Sequence, residues 1–123
     1  MRQFKFRAWS NEHNRYCDFV TLDEDGRWIG WIKGSGVYLT TADIILEQYT
    51  GLKDKNGKKI YLGDIVSEHN GDIVGEIIQK PTGEYCIAWV GIYGGSSVLY
   101  NETSMCEVIG NIHENPELLG GKE

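Results

Sequence analysis

The chain has 123 residues, 41% of them apolar and 24% charged, which are the proportions of one soluble globular domain able to bury its own core. Twelve basic against eighteen acidic side chains leave a net charge of −6, which argues against a surface that grips nucleic acid as a whole. No run approaches ~18 apolar residues, and the opening Met-Arg-Gln-Phe-Lys-Phe-Arg lacks a continuous apolar stretch, so no membrane span and no signal peptide are expected, and a cytoplasmic location is.

In chain order, Phe4-Lys5-Phe6-Arg7-Ala8 alternates apolar and basic residues, which predicts a strand with one core face and one cationic face. Strand-like runs follow at Tyr16–Leu22 and Arg27–Ile32, on either side of Asp25-Gly26. Residues Thr41–Gln48 read either as one or two helical turns capped by Thr41 or, through the β-branched pair Ile44-Ile45, as a strand. Further strands are predicted at Ile65–His69, Asp72–Gln79 and Glu84–Val90, with Cys106–Ile112 closing the set. Asp25-Gly26, Asn56-Gly57 and Asn70-Gly71 carry the type I′ hairpin signal, in which both central residues take positive φ; Thr82-Gly83 is a weaker punctuation. Gly75, inside a predicted strand, signals a bulge or a sharp bend. Asn115-Pro116 predicts a capped single turn ended by Gly120-Gly121. Short strands at about a dozen residues' spacing predict a mainly β fold, a meander or small barrel.

The chemistry-bearing residues are scattered. Cys17, Cys86 and Cys106 form no C-x-x-C pair and read as reduced thiols. His13, His69 and His113 have no metal-ligand spacing. Asp23-Glu24-Asp25-Gly26 starts like a calcium loop, but its glycine comes too early and no glutamate follows at the twelfth position, so a hairpin turn explains it. Gly91–Ser97 is glycine-rich but lacks the Lys-Ser/Thr ending of a phosphate-binding loop. Asn101-Glu102-Thr103 fits a glycosylation acceptor only by chance if the chain is not secreted. No catalytic, cofactor-binding or metal site is expected. Asp64 with Glu68 or Asp72 is the weakest of the readings, a pair of strand-end carboxylates usually solvated.

Two features point to binding. Lys53, Lys55, Lys58 and Lys59 surround one tight turn and would form a positive tip able to contact phosphates. Trp28 and Trp31 have opposite parity on one strand, so at most one faces the core and the other is a candidate interface anchor or stacking platform; Tyr38, Trp89 and Tyr93 complete the aromatic set, with Trp89 expected in the core. Charge is uneven as well: residues 1–61 hold ten basic and eight acidic side chains, residues 62–123 two and ten, so any polyanion contact falls to the first half.

The nineteen residues Gln48-Tyr49-Thr50-Gly51-Leu52-Lys53-Asp54-Lys55-Asn56-Gly57-Lys58-Lys59-Ile60-Tyr61-Leu62-Gly63-Asp64-Ile65-Val66 resemble the signature of the YopX family of bacteriophage and prophage proteins. Phe6-Arg7-Ala8-Trp9 resembles the family's opening, and Val108–Leu119 its ending. Ser10 and His113 depart from the residues the family often has there, acidic and aromatic respectively. The resemblance implies a single domain over 1–123, with N-terminal strands over 1–48, an SH3-like barrel over 49–113 and a turn and tail over 114–123. It also implies a phage or prophage accessory protein acting in the bacterial cytoplasm, and it carries over no catalytic residues. Within the motif, Asn56-Gly57 is expected to form a hairpin tip, and Asp64 to bond backbone donors at the turn into the next strand. The leading expectation for function is a non-enzymatic module that binds a host or phage protein, with homo-oligomers possible through strand edges. The alternative is a nucleic-acid-binding accessory that uses the lysine tip.

Overall fold

The computed structural model describes residues 6–91 and 94–120; Phe4, Lys5 and Tyr93 lie outside the described residues. The fold is mainly β, as expected, and the chain divides into two compact units, one up to Gln48 and one from Tyr49.

In the first unit, β1 (Phe6–Ser10) pairs with β2 (Arg15–Tyr16) and with the first half of β6 (Ile44–Lys53). β3 (Phe19–Leu22), β4 (Trp28–Trp31) and β5 (Tyr38–Thr40) form a three-stranded antiparallel sheet. The ambiguity at Thr41–Gln48 resolves as strand. Asp43 accepts from the N–H and hydroxyl of Thr40 in a tight turn, and β6 starts at Ile44, where β-branched residues favour extended backbone. Ala8, Ile32, Leu39 and Ile44 form the core of this unit. The predicted alternation of core and cationic faces fails in β1, because Arg7 is drawn inward. Its Nε lies 2.7 Å from Oε1 of Glu47, which is 5% exposed and also accepts from the Tyr16 hydroxyl at 2.8 Å. The guanidinium caps the Tyr16 ring at 4.5 Å.

In the second unit, β8 (Asp64–Glu68), β9 (Ile73–Gln79), β10 (Tyr85–Trp89) and β11 (Ser96–Val98) run as an antiparallel meander. A 3₁₀ turn over Leu99–Asn101 follows, and β12 (Glu107–Asn111) returns to pair with β8, so the curled sheet is a half-barrel of the SH3-like kind. β7 (Lys59–Tyr61) pairs with the second half of β6. Ile60, Val66, Ile77, Ile87, Leu99 and Cys106 are buried together beneath it. Trp89 packs against this cluster, partly buried, with its indole N–H donated to the Ser97 hydroxyl at 2.8 Å.

Three local expectations are corrected. Gly75 makes no bulge: it pairs regularly with Val66 and Trp89, and its lack of a side chain is required because a Cβ would sit 2.5 Å from Ile87 and 2.8 Å from the Ala88 carbonyl. The bulge falls instead between Val108 and Gly110 of β12. Asp25-Gly26 and Asn56-Gly57 are not type I′ turns, since only the glycines take positive φ, 80° and 83°. Each is a three-residue loop in which the glycine N–H bonds back to Asp23 or Asp54 and acts as a left-handed bulge residue. Lys80–Glu84 repeats that pattern with Pro81 in the loop and Gly83 at φ 95°. At the β8–β9 hairpin Asn70 and Gly71 both take positive φ, 59° and 93°, as the Asn-Gly signal implied, inside a turn closed by the Asp72 N–H on the His69 carbonyl at 3.1 Å; His69, at φ 56°, joins them in an overlapping turn closed by the Gly71 N–H on the Glu68 carbonyl at 3.2 Å. The C-terminal turn over Pro116–Leu119 forms with Pro at its start and Gly120 left-handed at its end. Asn115 does not cap it; its side-chain oxygen accepts the Asn111 N–H at 3.2 Å instead.

Candidate functional site

The lysine-bearing hairpin is built around Asp54, which sequence reading passed over. Asp54 is 6% exposed. Its Oδ1 accepts the N–H groups of Asn56 and Lys58, both at 2.9 Å, and its Oδ2 accepts the N–H of Val108 at 2.8 Å, 54 positions away. The Lys55 N–H is donated to the Cys106 carbonyl at 3.0 Å. The tip is therefore a fixed platform tied to β12. Lys53, Lys55 and Lys58 are exposed on it and Lys59 is half-buried. Lys53 and Lys59 stand directly opposite across the strands, and such like-charge pairs repel. Lys59 lies 5.7 Å from the centre of the Tyr49 ring, and Lys55 is 4.0 Å from Glu107. Two of the four lysines are thus partly engaged within the protein.

The two tryptophans separate onto opposite faces of the β3–β4–β5 sheet, as their parity predicted. The row Val20–Gly30–Leu39 faces the core, and Trp28 shares that side, its ring 4.8 Å from Phe6. Trp31 lies on the other face, in register with Phe19 on one neighbour and Tyr38 on the other. Trp31 and Tyr38 rings are 5.0 Å apart, Trp31 is half-buried, and Phe19 and Tyr38 are 50% and 60% exposed. One cross-strand row thus sets two exposed rings on either side of a half-buried indole. The signal available in the sequence was incomplete, because Phe19 and Tyr38 join Trp31 only through strand register.

The strand-end carboxylates behave differently from one another. Asp64, 2% exposed, bonds a backbone donor at the turn as expected, its Oδ2 accepting the Tyr61 N–H at 2.8 Å. Asp64 and Glu68 stand four residues apart on β8, ~13 Å along the strand, and so do not form one site. Asp72 is exposed and lines a hollow of about 590 Å³ with His69, Ile73 and Trp89. Glu68 is 5% exposed, and its Oε2 is buried with no hydrogen-bond partner. Burial, together with the Glu102 carboxyl, pushes its pKa up to about 7. Cys106 beside it is fully buried, and desolvation, with the nearby Glu68 and Asp54 charges, pushes its thiol up to about 11. The half-buried Cys17 thiol is raised too, first by desolvation and then by Asp18. A thiol raised in this way stays protonated at neutral pH and is a poor nucleophile. Among the described residues no group of three or more His, Cys, Asp or Glu is placed to hold a metal ion, and no helix is long and apolar enough to cross a membrane.

Residues 5–120 match the family described as YopX protein. No curated protein matches the chain. Among solved structures, the chain is similar to protein EF1440 from Enterococcus faecalis, with 30% identity and a TM-score of 0.68 over 97% of this chain and 99% of that one. It is also similar in fold to protein yopX from Bacillus subtilis, with 23% identity and a TM-score of 0.56 over the whole of both chains. With matching sequence over nearly its full length and the same fold in both neighbours, the chain belongs to the YopX family.

Proposed function

We propose that the protein is a non-enzymatic interaction module that docks a protein partner on the aromatic row Phe19–Trp31–Tyr38. The observation that carries this reading is the row itself. A large rigid indole is flanked in register by two exposed rings on a sheet face turned away from the core, and Trp and Tyr are the residues that anchor protein interfaces. β3 and β5 are edge strands of the same sheet and offer backbone groups beside the row. In this reading the protein is an accessory of phage or prophage origin, acts in the bacterial cytoplasm and needs no cofactor. Self-association through the same edges is part of the proposal, and light scattering at high concentration tests it by showing a mass above the monomer's.

The test is a tagged pull-down from bacterial lysate, with and without nuclease, comparing the wild type with a Trp31→Ala/Tyr38→Ala double variant. A discrete protein that survives nuclease and is lost from the variant supports the reading. A partner retained undiminished by the variant refutes it.

A second reading, a nucleic-acid accessory, is favoured by the fixed placement of exposed Lys53, Lys55 and Lys58 on one hairpin tip. It requires oligonucleotide binding that weakens with salt and is lost in Lys53→Glu/Lys58→Glu. Absence of binding near ~50 mM salt removes it.

A further inference from the structure

We propose that Glu68 and Glu102 share a single proton in the folded protein, and that this proton clamps the segment Leu99–Cys106 against the core of the second unit. The ladder between β8 and β12 places them together. Val66 faces Val108 and Ser67 faces Glu107, so the next step along the ladder brings Glu68 beside Cys106. The Cys106 N–H is donated to the Glu102 carbonyl at 3.0 Å, which folds Glu102 back over the same point. Strand alternation gives Glu68 the face of Val66, the face that carries the buried cluster with Leu99 and Cys106. A carboxyl group therefore ends a row of core side chains, with one oxygen dehydrated and unpartnered.

Among the described residues the groups facing Glu68 offer no counter-charge. Glu102 comes from the turn after the 3₁₀ segment and Cys106 from the approach to β12. Asp54, on the hairpin near Cys106, is occupied by three backbone N–H groups. Neither Glu68 nor Glu102 forms an ion pair among the described residues. Burial and the neighbouring half-buried Glu102 carboxyl both disfavour a charge on Glu68, and its pKa, raised to about 7 first by desolvation and then by Glu102, agrees with that. With one proton present the two groups make a charge-assisted O–H···O⁻ bond across the segment. Without it they repel, and the repulsion acts on a stretch whose ends, Leu99 and Cys106, are fully buried but whose middle exposes Tyr100 at 73% and Met105 at 46%. Loss of the proton loosens this segment, which makes the site a pH-responsive latch.

Linkage sets the sign. The folded pKa lies above the unfolded value of 4.5, so between there and about 7 the folded state holds a proton that the unfolded state lacks. Stability falls as pH rises through that window and is level above it.

The experiment combines carboxyl-carbon NMR titration of the wild type with urea unfolding and amide exchange from pH 4.5 to 8.5, for wild type, Glu68→Gln and Glu102→Gln. The expected result is a Glu68 titration near neutrality. The protection of the Glu102, Met105 and Cys106 amides, corrected for intrinsic exchange, should drop on the order of 10²-fold across the window in the wild type and stay flat in Glu68→Gln. A Glu68 titration below pH 5 overturns the proposal, as does an unchanged pH profile in Glu68→Gln. If Glu68→Gln fails to fold, the wild-type titration decides alone. Millimolar magnesium, calcium or zinc is added in a parallel arm. Strong metal protection with Glu68 fully ionised would make the pair a cation site and overturn the shared proton.

Discussion

Asp54 offers the sharpest test of how the lysine hairpin is held. Its turn and the Asp23 turn are built alike: the first aspartate's Oδ1 accepts the N–H groups two and four residues on, at 2.8–2.9 Å in both. They differ in the second oxygen. That of Asp23 meets the exposed Arg27 guanidinium at 3.2 Å, while that of Asp54 accepts the Val108 N–H at 2.8 Å in the interior of the second unit. Asp54→Asn keeps one acceptor for the turn but sets an amide NH₂ against the Val108 N–H, so a buried donor loses its partner at a cost of about 2 kcal/mol. Asp54→Ala orphans all three donors. The Asn56 and Lys58 amides recover water at the exposed tip, which brings the total to about 3 kcal/mol, a large share of an ordinary domain's stability. Asp23→Ala, identical in local geometry, costs a small fraction of that because water replaces every bond it loses. Urea unfolding followed by far-UV circular dichroism gives the three values, and exchange of the Val108 amide reports the long-range bond directly. Equal losses for Asp23→Ala and Asp54→Ala, or an Asp54→Asn variant as stable as the wild type, would refute the assignment.

Other substitutions probe other parts. Gly75→Ala forces a methyl group to within 2.5 Å of Ile87 and 2.8 Å of the Ala88 carbonyl; backbone cannot swing aside, so thermal or urea denaturation should show a loss of about 2–3 kcal/mol. His69→Asn places a residue tolerant of left-handed backbone at φ 56° and should stabilise by ~0.5 kcal/mol in the same assay. Trp31→Ala/Tyr38→Ala should lose its partner in the pull-down while leaving the amide protection of the first unit's core unchanged, because the row lies on the sheet face turned from that core. Stability should fall between pH 4.5 and about 7 and the fall should vanish in Glu68→Gln, read by urea midpoints across pH.

Much of the architecture was legible in the chain. Strand positions for β4, β8, β9, β10 and β12 follow from runs of β-branched and aromatic residues between turn residues, and hairpin positions follow from glycine. The short strands β5, β7 and β11 escaped notice because three residues are too few to show a period. Asp-x-Asp-Gly and Asp-x-Asn-Gly carry a type I′ signal in their last two residues, yet only the glycine takes positive φ in either loop. The aspartate two positions earlier stabilises a type I turn followed by a glycine bulge, and a dipeptide rule does not see it.

Local chemistry thus determined that this is a β protein, where its hairpins fall, that Trp28 and Trp31 part to opposite faces, and through motif resemblance which family it joins. Tertiary structure alone decided what the charged residues do. Register set Phe19 and Tyr38 beside Trp31, carried the Val108 amide to Asp54 across 54 positions, and brought Glu102 over the dehydrated carboxyl of Glu68. Backbone conformation depends on neighbours a few residues away and is written in short windows. Burial and charge environment depend on which distant strands pair, and they become visible only when the sheet has closed.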